Sequence, residues 1–294
     1  MENFKSGFVN IIGKPNAGKS TLLNILVGEK LASITPKAQT TRRRLLGIVT
    51  TDTHQIIYSD TPGIVKDPMY KLHEWMNTQI EVALHDADII LYMVNPGEKT
   101  ENNPILEKII KSKIPACIVL NKMDIIDEKR ISEEEVKWKT FLPDTTLISI
   151  SALQKKNIAT LQEFIIDNLP VHPPYYDSDE LTDVSERFMM SEMIRAEILK
   201  QYKQEIPYSV EVIVHEFKEK EDITVIKATI YTGKDSHKNI IIGPKGTGIK
   251  KVGTESRKEM EAWLGKKVFL ELFVKVKENW KNDERSLKYF GYDS

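Results

Sequence analysis

The chain has 294 residues, 40% of them hydrophobic, and 42 Lys/Arg against 43 Asp/Glu give a formal net charge of −1. That length suits two domains and that apolar content suffices for two cores, while the even charge balance excludes a polyanion held by global charge, so any nucleic acid must meet a local basic patch. One cysteine, Cys117, excludes a disulfide framework and reads as a reduced core residue; no uncharged apolar run is long enough for a membrane span, and Met1-Glu2-Asn3-Phe4-Lys5-Ser6 lacks the apolar region of a secretory signal.

Phe8 to Ile12 reads as a buried strand, and Leu22-Leu23-Asn24-Ile25-Leu26-Val27 as the helix after it. Between them stands Gly13-Lys14-Pro15-Asn16-Ala17-Gly18-Lys19-Ser20, followed by Thr21. A strand, a tight glycine-containing loop and a helix N-terminus surround a polyphosphate with successive backbone N–H groups. In that setting Lys19 reaches the β- and γ-phosphates and Ser20 puts its hydroxyl on Mg²⁺. Asn16 has two readings, a side-chain ligand for a monovalent cation such as K⁺ beside the phosphates, or a residue that stabilises the turn.

Gln39-Thr40-Thr41-Arg42 follows in a polar stretch bounded by Pro36 and the run Arg42-Arg43-Arg44. One threonine can ligate Mg²⁺ only while a γ-phosphate is present, giving an ordered-to-loose switch. Thr41 is favoured, although spacing does not separate it from Thr40. The arginine run is expected to flank this switch in preference to touching RNA. The strand Gln55 to Ser59 ends at Asp60-Thr61-Pro62-Gly63, which places Asp60 to hold Mg²⁺ through a water and the Gly63 N–H to sense the γ-phosphate. Ile64 comes next, where a glutamine would orient the attacking water. Isoleucine cannot, so hydrolysis is predicted to be slow or assisted by another group.

A helix is predicted around Tyr70 to His85 and a buried strand from Ile89 to Asn95. Asn121-Lys122-Met123-Asp124 stands at the carboxyl end of the apolar strand Ala116 to Leu120, where open α/β sheets bind ligands. Asp124 can accept from the N1–H and the exocyclic amino group of guanine, an arrangement adenine lacks. Asn121 braces the base edge and loop, and the Lys122 stem covers the ring. Ser151-Ala152, after the strand Thr146 to Ile150, can offer a backbone N–H to the guanine carbonyl oxygen. Asn157 to Leu169 reads as the last helix of this layer. The alternation predicts a doubly wound, mostly parallel α/β sheet over residues 1–169. The six histidines show no metal-ligand spacing.

Residues 170–180, opening Pro170-Val171-His172-Pro173-Pro174, read as a semi-rigid linker, with Tyr175 and Tyr176 expected to pack between domains. Residues 181–294 read as a second, α+β domain: a helix from Ser185 to Glu205, strands Ser209 to Phe217 and Thr224 to Tyr231, a helix Asp235 to Ile242, Gly243-Pro244-Lys245-Gly246, a helix to about Trp263 and a strand Val268 to Val276. A G-x-x-G loop between two helices in this order matches a type II KH module, in which backbone approaches nucleotides closely and an apolar groove takes the bases. From Lys234 to Lys267 there are nine Lys/Arg against four Asp/Glu, and Lys245, Lys250 and Lys251 stand beside the loop.

Together these motifs, over essentially the whole chain, resemble the bacterial Era-type GTPases of ribosome assembly. The resemblance implies a P-loop GTPase domain followed by the KH domain, Mg²⁺-dependent cycling between GTP and GDP, and catalysis centred on Lys19, Thr41 and Gly63. It also implies binding of single-stranded RNA near the 3′ end of small-subunit ribosomal RNA during maturation of the 30S subunit. A monomer is expected, cytoplasmic, with peripheral association at the inner face of the cell membrane. Hydrolysis in this family does not rely on a glutamine, in keeping with Ile64. The alternatives are another RNA-linked assembly or tRNA-related GTPase, or a nucleotide-gated RNA-binding scaffold with negligible hydrolysis.

Overall fold

The structure is a computed structural model that describes residues 3–100 and 103–292. Met1, Glu2 and the Ser294 end of the expected second domain lie outside these residues. The chain forms two compact units, one of Met1–Ala32, Thr41–Lys66 and Met76–Asp183, the other of Ser33–Thr40, Asp67–Trp75 and Val184–Ser294.

The first unit is a six-stranded sheet flanked by helices. Its elements in chain order are β1 (Lys5–Gly13), α1 (Lys19–Val27), β2 (Leu45–Thr50), β3 (His54–Asp60), the part of α2 (Lys71–His85) from Met76 on, β4 (Ile89–Val94), α3 (Pro104–Ser112), β5 (Ala116–Leu120), α4 (Glu128–Phe141), β6 (Thr146–Ser149) and α5 (Ile158–Asn168). The strand order is β2-β3-β1-β4-β5-β6, parallel throughout except for the antiparallel edge strand β2. All six residues of β4 are buried, as an apolar strand covered on both faces requires. Helix starts follow local chemistry: Asn103 and Asp127 accept the backbone N–H of Leu106 and Arg130 at the heads of α3 and α4.

Arg44 does not reach outward. It donates to Ser59 Oγ and Asn10 Oδ1 and pairs with Asp86, which locks β2 and β3 to the end of α2. Tyr175 and Tyr176, expected between domains, instead pack on the first unit. Tyr175 stacks on His172 with ring centroids 4.2 Å apart and meets Phe8 edge-on at 5.1 Å, while Tyr176 joins the cluster of Leu46, Ile48 and Ile57. Gln55 Oε1 accepts the N–H groups of both tyrosines, at 2.8 and 3.0 Å. The segment expected as a linker is thus strapped along β2 and β3, with Ile48 N–H also donating to the Leu181 carbonyl.

The second unit is built on a three-stranded sheet, β7 (Val210–Glu219), β8 (Ile223–Thr232) and β9 (Lys267–Val276), with β7 antiparallel and β9 parallel to β8. The parallel pair needs a crossover, supplied by α7 (Asp235–Ile242) and α8 (Thr247–Leu264). Ahead of them α6 (Glu186–Gln201) packs on β7 and α8. It is shorter than the helix expected to Glu205: Tyr202 is extended and Gln204 has φ +56°, which a helix cannot continue through. After β9, Trp280 is buried and donates to the Ser209 carbonyl, and α9 (Glu284–Tyr289) closes the unit. No helix among the described residues is long and apolar enough to cross a membrane.

Candidate functional site

The loop between β1 and α1 is shaped by two close approaches. Gly18, at the head of α1, has φ +102°, and a Cβ there would lie 2.3 Å from Asn121 Nδ2, so both the backbone and the space demand glycine. The N-terminus of α1 is therefore open to an anion. Lys19 is 6% exposed and donates its ammonium to the carbonyls of Gly13 and Lys14 at 3.0 and 3.1 Å. Burial lowers its pKa to about 8, against the pull of Asp60 and Glu98; a phosphate would supply the missing counter-charge. Lys14 pairs with buried Glu98 at 2.8 Å.

Three oxygen donors meet at the other side of the loop. Asp60 Oδ2 accepts from Ser20 Oγ at 2.6 Å and Thr41 Oγ1 at 2.9 Å, and the two hydroxyls are 3.0 Å apart. Asp60 Oδ1 is buried with no hydrogen-bond partner. Burial pushes the Asp60 carboxyl up, while Lys19, Ser20 and Thr41 hold it down. Hard oxygen donors around an unsatisfied carboxylate oxygen fit magnesium. The two threonines have different partners: Thr40 donates to the Lys37 carbonyl at 2.7 Å and meets Thr35 Oγ1 at 2.6 Å. Thr61 turns its hydroxyl to the Ile11 carbonyl at 2.8 Å. Between it and Gly63 lies buried Pro62, and Gly63 sits so close to Pro15 that a Cβ would be 2.8 Å from it.

Asn121 joins three loops. Its Nδ2 donates to the Ala17 carbonyl at 2.8 Å and its Oδ1 accepts from Ala152 N–H at 3.0 Å. Lys122, with φ +67°, donates to the Asn16 carbonyl at 2.8 Å, and Asp124 Oδ1 accepts from Ser151 Oγ at 2.5 Å. Asp124 keeps further lone pairs for a base edge. The N–H groups of Ser151 and Ala152, expected to face a guanine carbonyl, already have acceptors in Lys156 O and Asn121 Oδ1 because the loop closes on itself, so a base oxygen would share them. Asn16 is exposed with φ +62°, a conformation asparagine tolerates.

Ile64 packs against the cluster containing Ile12, Ile80 and Tyr92. Ile64→Ala is therefore expected to cost roughly 1–3 kcal/mol of stability, read as a lower thermal midpoint, and to leave basal hydrolysis within a few-fold. A loss of hydrolysis like that of a catalytic side chain would contradict it.

In the second unit, Gly243 (φ +72°), Lys245 (φ +50°) and Gly246 (φ +76°) make a tight turn between α7 and α8. Its backbone is held from inside: Gly246 N–H donates to the Gly243 carbonyl at 3.1 Å and Thr247 Oγ1 to the Pro244 carbonyl at 2.9 Å. Pro244 and Lys245 are exposed, as are Lys250 and Lys251. Beside them an open groove of about 560 Å³ runs between α8 and β9, lined by Ile249, Lys250, Gly253, Arg257, Phe269 and Leu272 among others. Basic rim, apolar floor and a side-chain-poor turn are what a single strand of nucleic acid needs.

Sequence reasoning passed over Glu98, which closes on Lys14 from a loop 84 positions away in the chain, and Arg195, buried within α6. Neither carries a local motif; only the fold brings Glu98 to Lys14 and Arg195 to the carbonyls of Gln39 and Thr40.

Residues 8–122 match the family described as 50S ribosome-binding GTPase, and residues 205–281 match the KH domain family. Among solved structures, a point variant of Era from Aquifex aeolicus bound to GDP and aluminium fluoride is 35% identical, with a TM-score of 0.92 over 99% of this chain and 100% of that one. An Era in complex with MgGDPNP and nucleotides 1506–1542 of 16S ribosomal RNA matches with the same identity, coverage and TM-score. With motifs, fold and full-length likeness in agreement, the chain belongs to the Era family of GTPases with a C-terminal KH domain.

Proposed function

We propose that the protein is a GTP-hydrolysing switch that binds single-stranded RNA near the 3′ end of small-subunit ribosomal RNA and acts in maturation of the 30S subunit. The observation that carries this is the convergence of Ser20, Thr41 and Asp60 beside Lys19 in a chain that also presents the G-x-x-G turn and its groove. It is supported by the likeness to Era structures holding nucleotide analogues and a 16S fragment.

In this reading the N–H groups from Gly13 to Thr21 cradle the phosphates, and Lys19 leaves its carbonyl acceptors for the β- and γ-oxygens. Ser20, Thr41 and Asp60 would hold magnesium, whose charge would offset the negative charge of the phosphates. Thr61 and Pro62 fix the backbone so that the Gly63 N–H faces the γ-phosphate. Asn121, Lys122, Asp124, Ser151 and Ala152 form the guanine pocket. With Ile64 committed to the core, no side chain at that place orients water, and intrinsic turnover is slow. Gly243, Pro244, Lys245, Gly246, Lys250 and Lys251 grip the RNA backbone, and the apolar groove takes its bases.

Asp124→Asn tests the base assignment. Turning one acceptor into a donor is expected to weaken GTP binding and raise xanthosine triphosphate binding by roughly tenfold or more each, measured by competition. An unchanged preference for GTP would overturn it. A second cation, potassium, is proposed beside Asn16: turnover should rise when potassium replaces sodium, and Asn16→Ala should remove the difference. Equal rates in both salts would leave Asn16 with its turn role alone.

A turnover assay with and without small ribosomal subunits distinguishes this switch from a scaffold with negligible hydrolysis, and sequencing of crosslinked RNA distinguishes it from a tRNA-related GTPase. We place the protein in the cytoplasm as a monomer, with peripheral association at the inner face of the cell membrane, on the strength of the family likeness; sedimentation and membrane flotation test these points.

A further inference from the structure

Glu98 belongs to none of the nucleotide motifs, yet it is 8% exposed and sits against the loop between β1 and α1. It closes a tight turn after β4: its N–H donates to the Asn95 carbonyl at 3.1 Å, Asn95 N–H donates back to Glu98 Oε2 at 3.4 Å, and Gly97 takes φ +78°. The turn is held from α4, where Glu134 Oε1 accepts Gly97 N–H at 2.9 Å. Glu134 is neutralised in turn by Arg130 at 3.2 Å and Lys137 at 2.5 Å. The Glu98 carboxylate is thus delivered from a braced turn and has little freedom to swing into water.

Its partner is Lys14 Nζ, 2.8 Å away. Lys14 is the second residue of the loop, and its carbonyl accepts from the Lys19 ammonium at 3.1 Å and from Ala17 N–H at 3.3 Å. Burial acts against the Lys19 charge, and Asp60 and Glu98 are the carboxylates whose fields favour it. Asp60 stands with Ser20 and Thr41, whereas Glu98 is tied to Lys14 and to its own turn. A buried carboxylate in that place cancels the positive charge that Lys14 brings to a phosphate loop. Water and salt screen it less than they would at the surface.

We propose that Glu98 limits the affinity of the nucleotide site: by neutralising Lys14 it weakens the hold of the loop on a polyphosphate. The proposal rests on the reading of that loop as the phosphate site. Repulsion grows with the charge of the ligand, so the weakening is larger for a triphosphate than for a diphosphate. It appears mainly in the rate at which nucleotide leaves, where most affinity differences at one site are expressed. A switch built this way gives up some affinity and gains faster exchange.

The test uses the full chain, with direct titrations of GDP and GDPNP at fixed magnesium and the dissociation rate of each. Glu98→Gln keeps the size of the side chain and an acceptor for Asn95 N–H while removing the charge. It is expected to tighten GDPNP binding by about three- to tenfold and GDP binding by a smaller factor, with slower dissociation of both. A residue that merely shapes the loop would give the opposite sign, since any substitution would loosen it. Lys14→Met, which leaves the carboxylate uncompensated, should weaken both nucleotides, GDPNP more. The two changes together return the net charge of the parent and with it the parent's ratio of GDPNP to GDP affinity. Weaker or unchanged GDPNP binding in Glu98→Gln, or an equal gain for GDP and GDPNP, would each overturn the proposal. Should Glu98→Gln fail to fold, Lys14→Met on the more exposed side of the pair carries the test, and a loss no larger for GDPNP than for GDP overturns it. If Lys19→Ala binds both nucleotides as the parent does, it is the reading of the loop as the phosphate site that fails.

Discussion

Alanine in place of Lys19 is expected to lower GTP affinity by about tenfold to a hundredfold and turnover by about a hundred- to a thousandfold. The ammonium is buried and lies on the carbonyls of Gly13 and Lys14, so it is preorganised where phosphate charge would arrive. Its removal takes one donor from each of those carbonyls and removes the cation closest in effect to Asp60. Fluorescent-nucleotide titration and phosphate release measure the two effects separately. RNA affinity of the same variant serves as the control and should match the parent's. GTP binding and turnover close to the parent's would mean that the loop between β1 and α1 is not the phosphate site.

Replacing Pro244-Lys245 by Asp-Asp should abolish single-stranded RNA binding while the protein stays folded and binds GTP. Both side chains are exposed, the turn is held by backbone and Thr247 contacts that the change leaves in place, and aspartate tolerates the left-handed conformation at 245. Two carboxylates facing phosphates cost several kcal/mol, which corresponds to at least about a hundredfold in affinity. The parent's affinity should fall as salt rises, because lysines near the turn release counterions on binding. Changing the bases at constant length and salt should weaken binding through the groove. A variant that is folded by circular dichroism yet binds the same RNA as tightly as the parent would place the RNA surface elsewhere.

Much of this was legible in residue order. The strands that carry Asp60 and Asn121 and the loop before Lys19 are marked by apolar runs and glycines whose meaning is local. The edge strand β2 was not, because its antiparallel pairing with β3 follows a basic run that drew attention to charge. α4 was missed as well: its sequence is mostly charged, and what seats it is buried Trp138 together with Glu134, whose carboxylate accepts from Gly97 N–H and pairs with Lys137 and Arg130. Thr40 and Thr41 look alike in a sequence, and only the folded backbone gives their hydroxyls different partners. α6 gave a misleading end because it is buried over nearly its whole circumference, so no polar stripe marks where the helix stops.

The second unit draws residues 33–40 and 67–75 from early in the chain, and this has a bearing on synthesis. The Thr40 carbonyl and the Arg195 side chain that clasps it are separated by 155 positions. At ordinary elongation rates that interval corresponds to about 8–30 s of translation. The strands β2 to β6 are made within it, and the arginine that clasps residues 39 and 40 comes only at its end. Such a contact also has a high loop-closure cost and belongs among the late events of folding. The early loop of residues 33–40 therefore waits for the second half of the chain before its backbone carbonyls meet their arginine donor.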